Sequence, residues 1–325
     1  MKLLIISGFL GAGKTTFIRE LVKKAKGDFA IMENEYGAVG VDQDLLKQSD
    51  ASLKVWELPE GCVCCTRKAD FASSVLTIAN TLDPEYLIVE PSGVGSLGRI
   101  LENVKKIQYE RISLLSPVTV VDGTNFYESM KKHRSLCADQ IEMAGTVVVS
   151  KMESAKEQEK NELAENISSM NPNAEVCTGP YAENGSSWWQ SLLQKPLSEE
   201  NGGTVASSGR EEEEMEALAL TSICLENENE LILFLQGVVS GVFGDISRAK
   251  GFLQAGEAWL RFDVVNHTYS VTGYEPSESS KGVFIGKGIR RSWLREVLQS
   301  GMYIGRNGPF PVSSGKKIRP ERISV

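Results

Sequence analysis

Nine residues near the start of the chain, Gly8-Phe9-Leu10-Gly11-Ala12-Gly13-Lys14-Thr15-Thr16, limit what it can fold into more than any other stretch. They fit G-x-x-x-x-G-K-[ST], a loop whose successive backbone N–H groups point inward around phosphate oxygens. Such a loop sits between a buried strand and the first turn of a helix, where amide donors and the positive end of the helix dipole converge on an anion. Both flanks are present. Lys2-Leu3-Leu4-Ile5-Ile6-Ser7 is short and apolar, as a buried strand is, and Phe17–Lys24 has helical spacing. Gly11, Ala12, Gly13, Lys14, Thr15 and Thr16 are therefore expected to hold a nucleotide. Lys14 would reach the β- and γ-phosphates and the Thr15 hydroxyl would ligate Mg²⁺. A secretory leader is the other reading of Lys2 followed by an apolar run. It is not expected, because Gly8, Gly11 and Gly13 interrupt the run and Lys14 ends it.

The chain after this loop alternates strand-like and helix-like segments. Phe29–Met32, Val55–Leu58, Tyr86–Val89, Val118–Val121 and Thr146–Val149 read as further strands, three of them rich in Val, Ile and Leu. Helical patterns cover Arg67–Leu82 and Ala155–Met170, and a shorter helix begins at Trp188-Trp189. Strands this apolar belong to a parallel sheet covered on both faces. The expected fold class is α/β: a P-loop NTPase domain with a mostly parallel doubly wound sheet over 1–197, plus a smaller C-terminal α+β domain over 216–325. Between them, 198–215 is a polar, Gly/Ser-rich stretch that includes Glu211-Glu212-Glu213-Glu214 and reads as a solvated acidic linker. In the second part, Leu231–Val239 and Trp293–Leu298 read as helices. Ala258–Val264, Tyr269–Thr272 and Gly282–Gly286 read as strands. After Gly301 the Gly-, Pro- and Lys/Arg-rich tail is expected to be loosely ordered.

Composition narrows the partners. A formal net charge of −8 argues against nucleic acid or an anionic membrane surface as principal partner. No apolar run approaches the roughly 18 residues that a membrane span needs. Six cysteines, three of them between Cys62 and Cys65, are too few and too clustered for a disulfide scaffold. They point to metal or redox chemistry in a reducing cytoplasm.

Four further stretches carry chemistry. Glu90 follows the buried run Tyr86–Val89 and precedes Pro91-Ser92-Gly93. An acidic residue at such a strand tip holds the Mg²⁺ shell together with the loop threonine, so Glu90 joins Lys14 as a candidate catalytic residue, and the Gly93 N–H would meet the γ-phosphate. Cys62-Val63-Cys64-Cys65 sets three thiols within four residues, able to converge on one soft or borderline cation with a fourth position left open. A redox-active or merely buried cysteine cluster is the bland alternative. Glu33-Asn34-Glu35-Tyr36-Gly37 follows the second strand, and Glu33 and Glu35 would face metal, Mg²⁺ water, substrate or solvent. Ser150-Lys151-Met152-Glu153 stands where Asn-Lys-x-Asp reads guanine. Glu153 can accept from the ring N–H and exocyclic amine, whereas Ser150 lacks the amide's donor–acceptor pair, which leaves the choice between GTP and ATP open.

Taken together these residues resemble the CobW-like family of P-loop GTPases, kin to the nickel-enzyme maturation GTPases UreG and HypB. Gly8–Thr16 fits the family's GFLGAGKTT, Glu33–Gly37 its E-N-E-[FY]-G, Glu57–Cys65 its E-L-x-x-G-C-x-C-C and Glu90–Gly93 its E-x-S-G. Asp122 ends its V-V-D strand. Arg248–Phe252 resembles its R-x-K-G-F, and Gly282–Gly288 its closing F-x-G-x-G-[IL] segment. The resemblance implies GTP hydrolysis coupled to handling a metal ion or to metallocofactor assembly, such as zinc homeostasis, cobalamin synthesis or metalloenzyme activation. Carried over, Lys14, Thr15 and Glu90 belong to the Mg²⁺–nucleotide site. Cys62, Cys64 and Cys65, with Glu33 or Glu35, belong to a site for Zn²⁺ or another transition metal such as Co²⁺ or Ni²⁺. Three departures stand out: Ser150–Glu153 replaces N-K-x-D, Gly145 stands where an Asp is common, and the His-rich stretch of many relatives is missing.

The expected activity is a GTP-hydrolysing metal chaperone, cytoplasmic, that delivers metal to a client metalloprotein or cofactor-assembly enzyme. The sequence leaves open whether the second domain binds the client or a second copy of the chain, as in a homodimer. A P-loop small-molecule kinase with a structural zinc site and a non-hydrolysing metal-binding adaptor are the competing readings; turnover without an added acceptor separates both from a GTPase.

Overall fold

A computed structural model describes residues 1–33, 54–57, 68–106, 111–197, 215–277, 279–299, 303–305 and 308–310. The chain divides into two compact units, Met1–Glu213 and Glu214–Val325. The linker expected over 198–215 lies, but for Met215, outside the described residues.

The first unit is built on a parallel sheet. Its strands are β1 (Lys2–Ser7), β2 (Phe29–Glu33), β3 (Lys54–Glu57), β4 (Tyr86–Glu90), β5 (Ser113–Leu114), β6 (Val118–Asp122), β7 (Thr146–Ser150) and β8 (Glu175–Cys177). They run in the order β3-β2-β4-β1-β6-β7-β8, with β5 beside β1, and every pairing is parallel. The helices are α1 (Lys14–Lys24), α2 (Lys68–Thr81), α3 (Leu97–Lys105), α4 (Phe126–Lys132), α5 (Arg134–Glu142), α6 (Glu157–Met170) and α7 (Ser186–Leu192).

Side chains alternate across a strand, so a strand apolar at every position needs two cores. β1 has both. Leu4 and Ile6 pack with Phe17, Ile18 and Leu21 of α1 and with Trp189 of α7. Leu3 and Ile5 pack on the other face with Phe71, Val75 and Ile78 of α2 and Leu97, Ile100 and Val104 of α3. Each such side chain, fully buried, contributes on the order of 1.5–3 kcal/mol relative to exposure. Val147 and Val149 of β7 add a further cluster with Ile141 of α5 and Leu163 and Ile167 of α6. Since β1 lies between β4 and β6, the loops after β1, β4, β6 and β7 gather at the carboxyl edge of the sheet. Open α/β sheets bind ligands at such an edge.

The second unit is a sheet with helices. Strands β9 (Glu216–Thr221), β10 (Cys224–Leu225), β11 (Asp245–Ala255), β12 (Ala258–Val265), β13 (Thr268–Gly273) and β14 (Lys281–Lys287) take the order β13-β12-β11-β14-β9, antiparallel, with β10 parallel to β11. Helices α8 (Glu228–Val239) and α9 (Arg291–Leu298) share its core, where Phe234, Phe262 and Phe284 meet. In the tail, β15 (Tyr303–Gly305) and β16 (Gly308–Phe310) pair antiparallel, so this part of the expected loose tail has local order.

Candidate nucleotide site

The loop after β1 closes on itself and opens into α1. Gly13 caps α1 with φ +94°, a left-handed conformation that a side chain would strain. No side-chain hydrogen bond from that position caps the helix, and the amide donors of a helix N-terminus suit an anion. Lys14 is 8% exposed, and its ammonium donates to the carbonyls of Gly8 at 3.1 Å and Phe9 at 3.4 Å. The charge is thus held inside the loop where phosphate oxygens would lie.

The tip of β4 meets the start of α1. The Thr15 hydroxyl lies 3.2 Å from each carboxylate oxygen of Glu90. Two cis oxygens on one octahedral Mg²⁺, at roughly 2.1 Å each, would be about 3 Å apart. A hydroxyl and a carboxylate at this separation, beside the Lys14 ammonium and the first turn of α1, fit the Mg²⁺ that the sequence motif implies.

The loop after β7 braces the phosphate loop from the other side. The Ser150 side chain is 4% exposed and its hydroxyl donates to the Ala12 carbonyl at 2.7 Å, with a second contact to Val121 O at 3.2 Å. Its hydrogen is therefore committed to the phosphate loop. Lys151 adopts φ +61°, which carries its ammonium to Gly11 O at 2.8 Å and Asp122 Oδ2 at 2.7 Å. Asp122 ends β6 and is almost buried. Burial pushes its carboxyl up, but hydrogen bonds from Lys151, Thr124 and Asn125 and the Lys151 charge outweigh that and hold it below the usual aspartate range. Glu153 is exposed. It lies near Tyr181, whose phenol is raised by burial first and then by the charges of Glu153 and Glu20.

Gly93 follows Glu90 and lies against the phosphate loop. A Cβ there would come 2.7 Å from Leu10 N and 3.0 Å from Leu10 Cα, so only glycine lets the two backbones approach this closely. Thr16 occupies the first turn of α1 and is exposed.

Glu33 is buried at the end of β2 and in register with Glu90 on one side and Glu57 on the other. Glu57, Glu33 and Glu90 therefore end three neighbouring strands in one row. Glu35, Cys62, Cys64 and Cys65 lie outside the described residues. Among the described residues no group of three or more His, Cys, Asp and Glu is placed to hold a metal ion.

Sequence reasoning leaves two contributors unassigned, Asp139 and Gln140 of α5, which contact the turn after Glu90. No local pattern marks them. Asp122 carries a local signal in Asp-Gly-Thr-Asn: its Oδ1 accepts from Thr124 N at 3.0 Å, an Asx turn that orients the carboxylate.

Residues 2–178 match the family model described as "CobW/HypB/UreG, nucleotide-binding domain", and residues 225–301 match "Cobalamin synthesis protein cobW C-terminal domain". The chain is 30% identical to the zinc chaperone YjiA of Escherichia coli K12 over 187 residues, 55% of this chain and 57% of that protein. It is 23% identical to zinc-regulated GTPase metalloprotein activator 1 of Dictyostelium discoideum over 368 aligned positions, 93% of this chain and 76% of that one. The chain spans about half the length of the curated zinc chaperones YjiA and YeiR that it matches. A crystal structure of Zn(II)-bound YjiA GTPase from Escherichia coli aligns with a TM-score of 0.43 at 18% identity, covering 93% of this chain and 99% of that one.

Proposed function

The chain belongs to the CobW/HypB/UreG family of nucleotide-binding proteins, and from that premise we propose that it is a GTP-hydrolysing metal chaperone or metallocofactor-assembly factor. The observation that carries the hydrolase part is the Thr15 hydroxyl 3.2 Å from both Glu90 oxygens at the mouth of the phosphate loop. When bound, Mg²⁺ would supply positive charge against the β- and γ-phosphates from Thr15 and Glu90. Lys14 and the α1 amides neutralise and orient the triphosphate. The Gly93 N–H marks the γ-phosphate position, where water displaces the β,γ-bridging oxygen to give GDP and phosphate. Lys151 and Ser150 keep the loop in shape through its Gly11 and Ala12 carbonyls. With the Ser150 hydroxyl committed there, guanine selection falls to Glu153.

The metal is cargo. The row Glu57–Glu33–Glu90 supports coupling between nucleotide and cargo, because Glu33 ends the strand beside that of Glu90 and Glu57 the strand beyond it, and in the sequence Glu35 follows Glu33 by two residues and Cys62 follows Glu57 by five. Neighbouring strands lie about 4.8 Å apart, and five residues of chain reach at most about 17 Å from Glu57 to Cys62. Ordering of this edge by the triphosphate and its release on hydrolysis would change thiolate affinity for Zn²⁺, Co²⁺ or Ni²⁺ and pass the ion to a client metalloprotein.

The test is turnover of purified protein with GTP or ATP and Mg²⁺, without an acceptor. GTP-selective phosphate release, lost in Glu90→Gln, is expected. Release that needs an added acceptor, or none from either nucleotide, would overturn the hydrolase reading.

A further inference from the structure

We propose that Asp139 and Gln140 form a latch that positions the Gly93 turn for the terminal phosphate; the inference rests on the nucleotide reading above. Both are positioning residues, since neither lies on the phosphate loop or at the strand tip.

Gln140 is 2% exposed. Its Nε2 donates to Gly93 O at 3.3 Å and to Gly95 O at 3.2 Å. A side-chain amide has two N–H donors, and here one goes to each carbonyl. The two carbonyls bracket Val94, so one side chain fixes the turn at both ends. Because both partners are acceptors, only the NH₂ face of the amide can meet them, which settles its orientation.

Asp139 holds the next element. Its Oδ2 accepts from Leu97 N at 2.6 Å and Gly98 N at 3.3 Å, and its Oδ1 accepts from Ser96 Oγ at 3.2 Å. A carboxylate from α5 therefore sits on the N-terminus of α3, where orphan amides and the helix dipole favour an anion. The same two residues grip the turn and the helix that follows it.

The latch is anchored to the nucleotide site. The Gln140 carbonyl accepts from Thr119 Oγ1 of β6 at 2.7 Å. His133, at the N-terminus of α5, is buried and stacks on Phe9 of the phosphate loop, ring centroids 4.8 Å apart and planes 28° apart. At the other end of α5, Asn171 Nδ2 donates to Ile141 O at 2.8 Å. The Gly93 turn is thus held between Leu10 of the phosphate loop and Gln140. Its position relative to the loop is set by α5.

The consequence separates diphosphate from triphosphate. GDP ends at the β-phosphate and needs the phosphate loop alone. A γ-phosphate also needs the Gly93 N–H where the latch puts it. Without Gln140, two buried carbonyls lose their donor, and the turn moves to find others.

The experiment measures dissociation constants of GDP and of the non-hydrolysable analogue GMP-PNP, with Mg²⁺, for full-length wild type, Gln140→Met and Asp139→Asn. Met keeps the shape of Gln and removes both donors. Loss of one net hydrogen bond's worth of positioning weakens GMP-PNP about tenfold in Gln140→Met and about threefold in Asp139→Asn, with GDP held within about twofold. A merely structural role would shift both nucleotides by the same factor, and that result, or an unchanged or raised GMP-PNP affinity, would overturn the latch. If Gln140→Met fails to fold, Asp139→Asn decides by the same ratio. Wild-type protein that binds neither nucleotide would instead overturn the nucleotide reading itself, and the latch with it.

Discussion

Lys151 offers a quantitative test of how the site is braced. Lys151→Met keeps the aliphatic stem and removes the ammonium, which otherwise donates to Gly11 O at 2.8 Å and Asp122 Oδ2 at 2.7 Å. The Asp122 side chain is 9% exposed and Lys151 42%. A hydrogen bond to a charged group contributes about 1.5–3 kcal/mol, and stripping a buried carboxylate of its cation costs about 3–5 kcal/mol. Two facts reduce the second figure: the ammonium is half in water, and Asp122 keeps donors from Thr124 and Asn125. A net loss of about 1–2 kcal/mol near neutral pH follows, which at a urea slope of about 2 kcal/mol/M moves the midpoint by about 0.5–1 M. The relevant transition is that of the first unit, identified as the one that added GDP shifts upward. The pH dependence has a fixed sign. The folded carboxyl of Asp122 titrates below its unfolded value. Its pairing therefore stabilises above about pH 4 and is lost as pH falls through the lower, folded value. The gap between wild type and Lys151→Met should be widest near pH 7 and close on acidification below pH 4. Equal midpoints at pH 7, or a gap that persists unchanged in acid, would refute the reasoning. An additive result in the double mutant with Asp122→Asn would do the same.

Other changes have distinct readouts. Gly93→Ala sets a Cβ 2.7 Å from Leu10 N, which is backbone and cannot rotate away, so nucleotide affinity should fall with a stability loss of roughly 1–3 kcal/mol in the melt. Glu153→Gln removes the carboxylate proposed to read the base, and the GTP-over-ATP ratio of kcat/KM should drop about tenfold or more, with little change in unfolding because the residue is exposed. Cys64→Ser should weaken Zn²⁺ binding in equilibrium dialysis and leave GDP affinity in place.

Much of the first unit is legible from pattern, for a physical reason. β1, β4, β6 and β7 are apolar on both sides, so runs such as Leu3–Ile6 and Tyr86–Val89 announce themselves without knowledge of neighbours. α3 is harder to see: Gly95 and Gly98 dilute the pattern around its start, and its cap is completed by Asp139, 42 residues away. α4 and α5 are polar and joined at His133, so no long apolar stripe marks them. β11 is the plainest omission. It is eleven residues long and central to its sheet, yet carries Arg248 and Lys250, and Arg248 is tolerated because Asp263 of β12 lies 2.8 Å away. In the candidate site, Lys14, Thr15 and Glu90 are readable as candidates because binding a phosphate and Mg²⁺ would fix both residue type and spacing. Ser150 is readable as a position but not in role, since what its hydroxyl meets depends on the fold of the loop across from it. Gln140 has no local signal at all: its function comes from the two carbonyls that the fold brings to it.

The claim that nucleotide state governs metal affinity is tested most directly by the Zn²⁺ dissociation constant of the full chain, measured with saturating Mg²⁺–GDP and again with saturating Mg²⁺–GMP-PNP. Coupling requires the two constants to differ, by about 5–150-fold if the free energy is of the usual allosteric size, and Zn²⁺ to shift the preference between the two nucleotides by the same factor. Equal Zn²⁺ affinity in both states would contradict it, leaving a nucleotide site and a metal motif on one chain with no exchange between them.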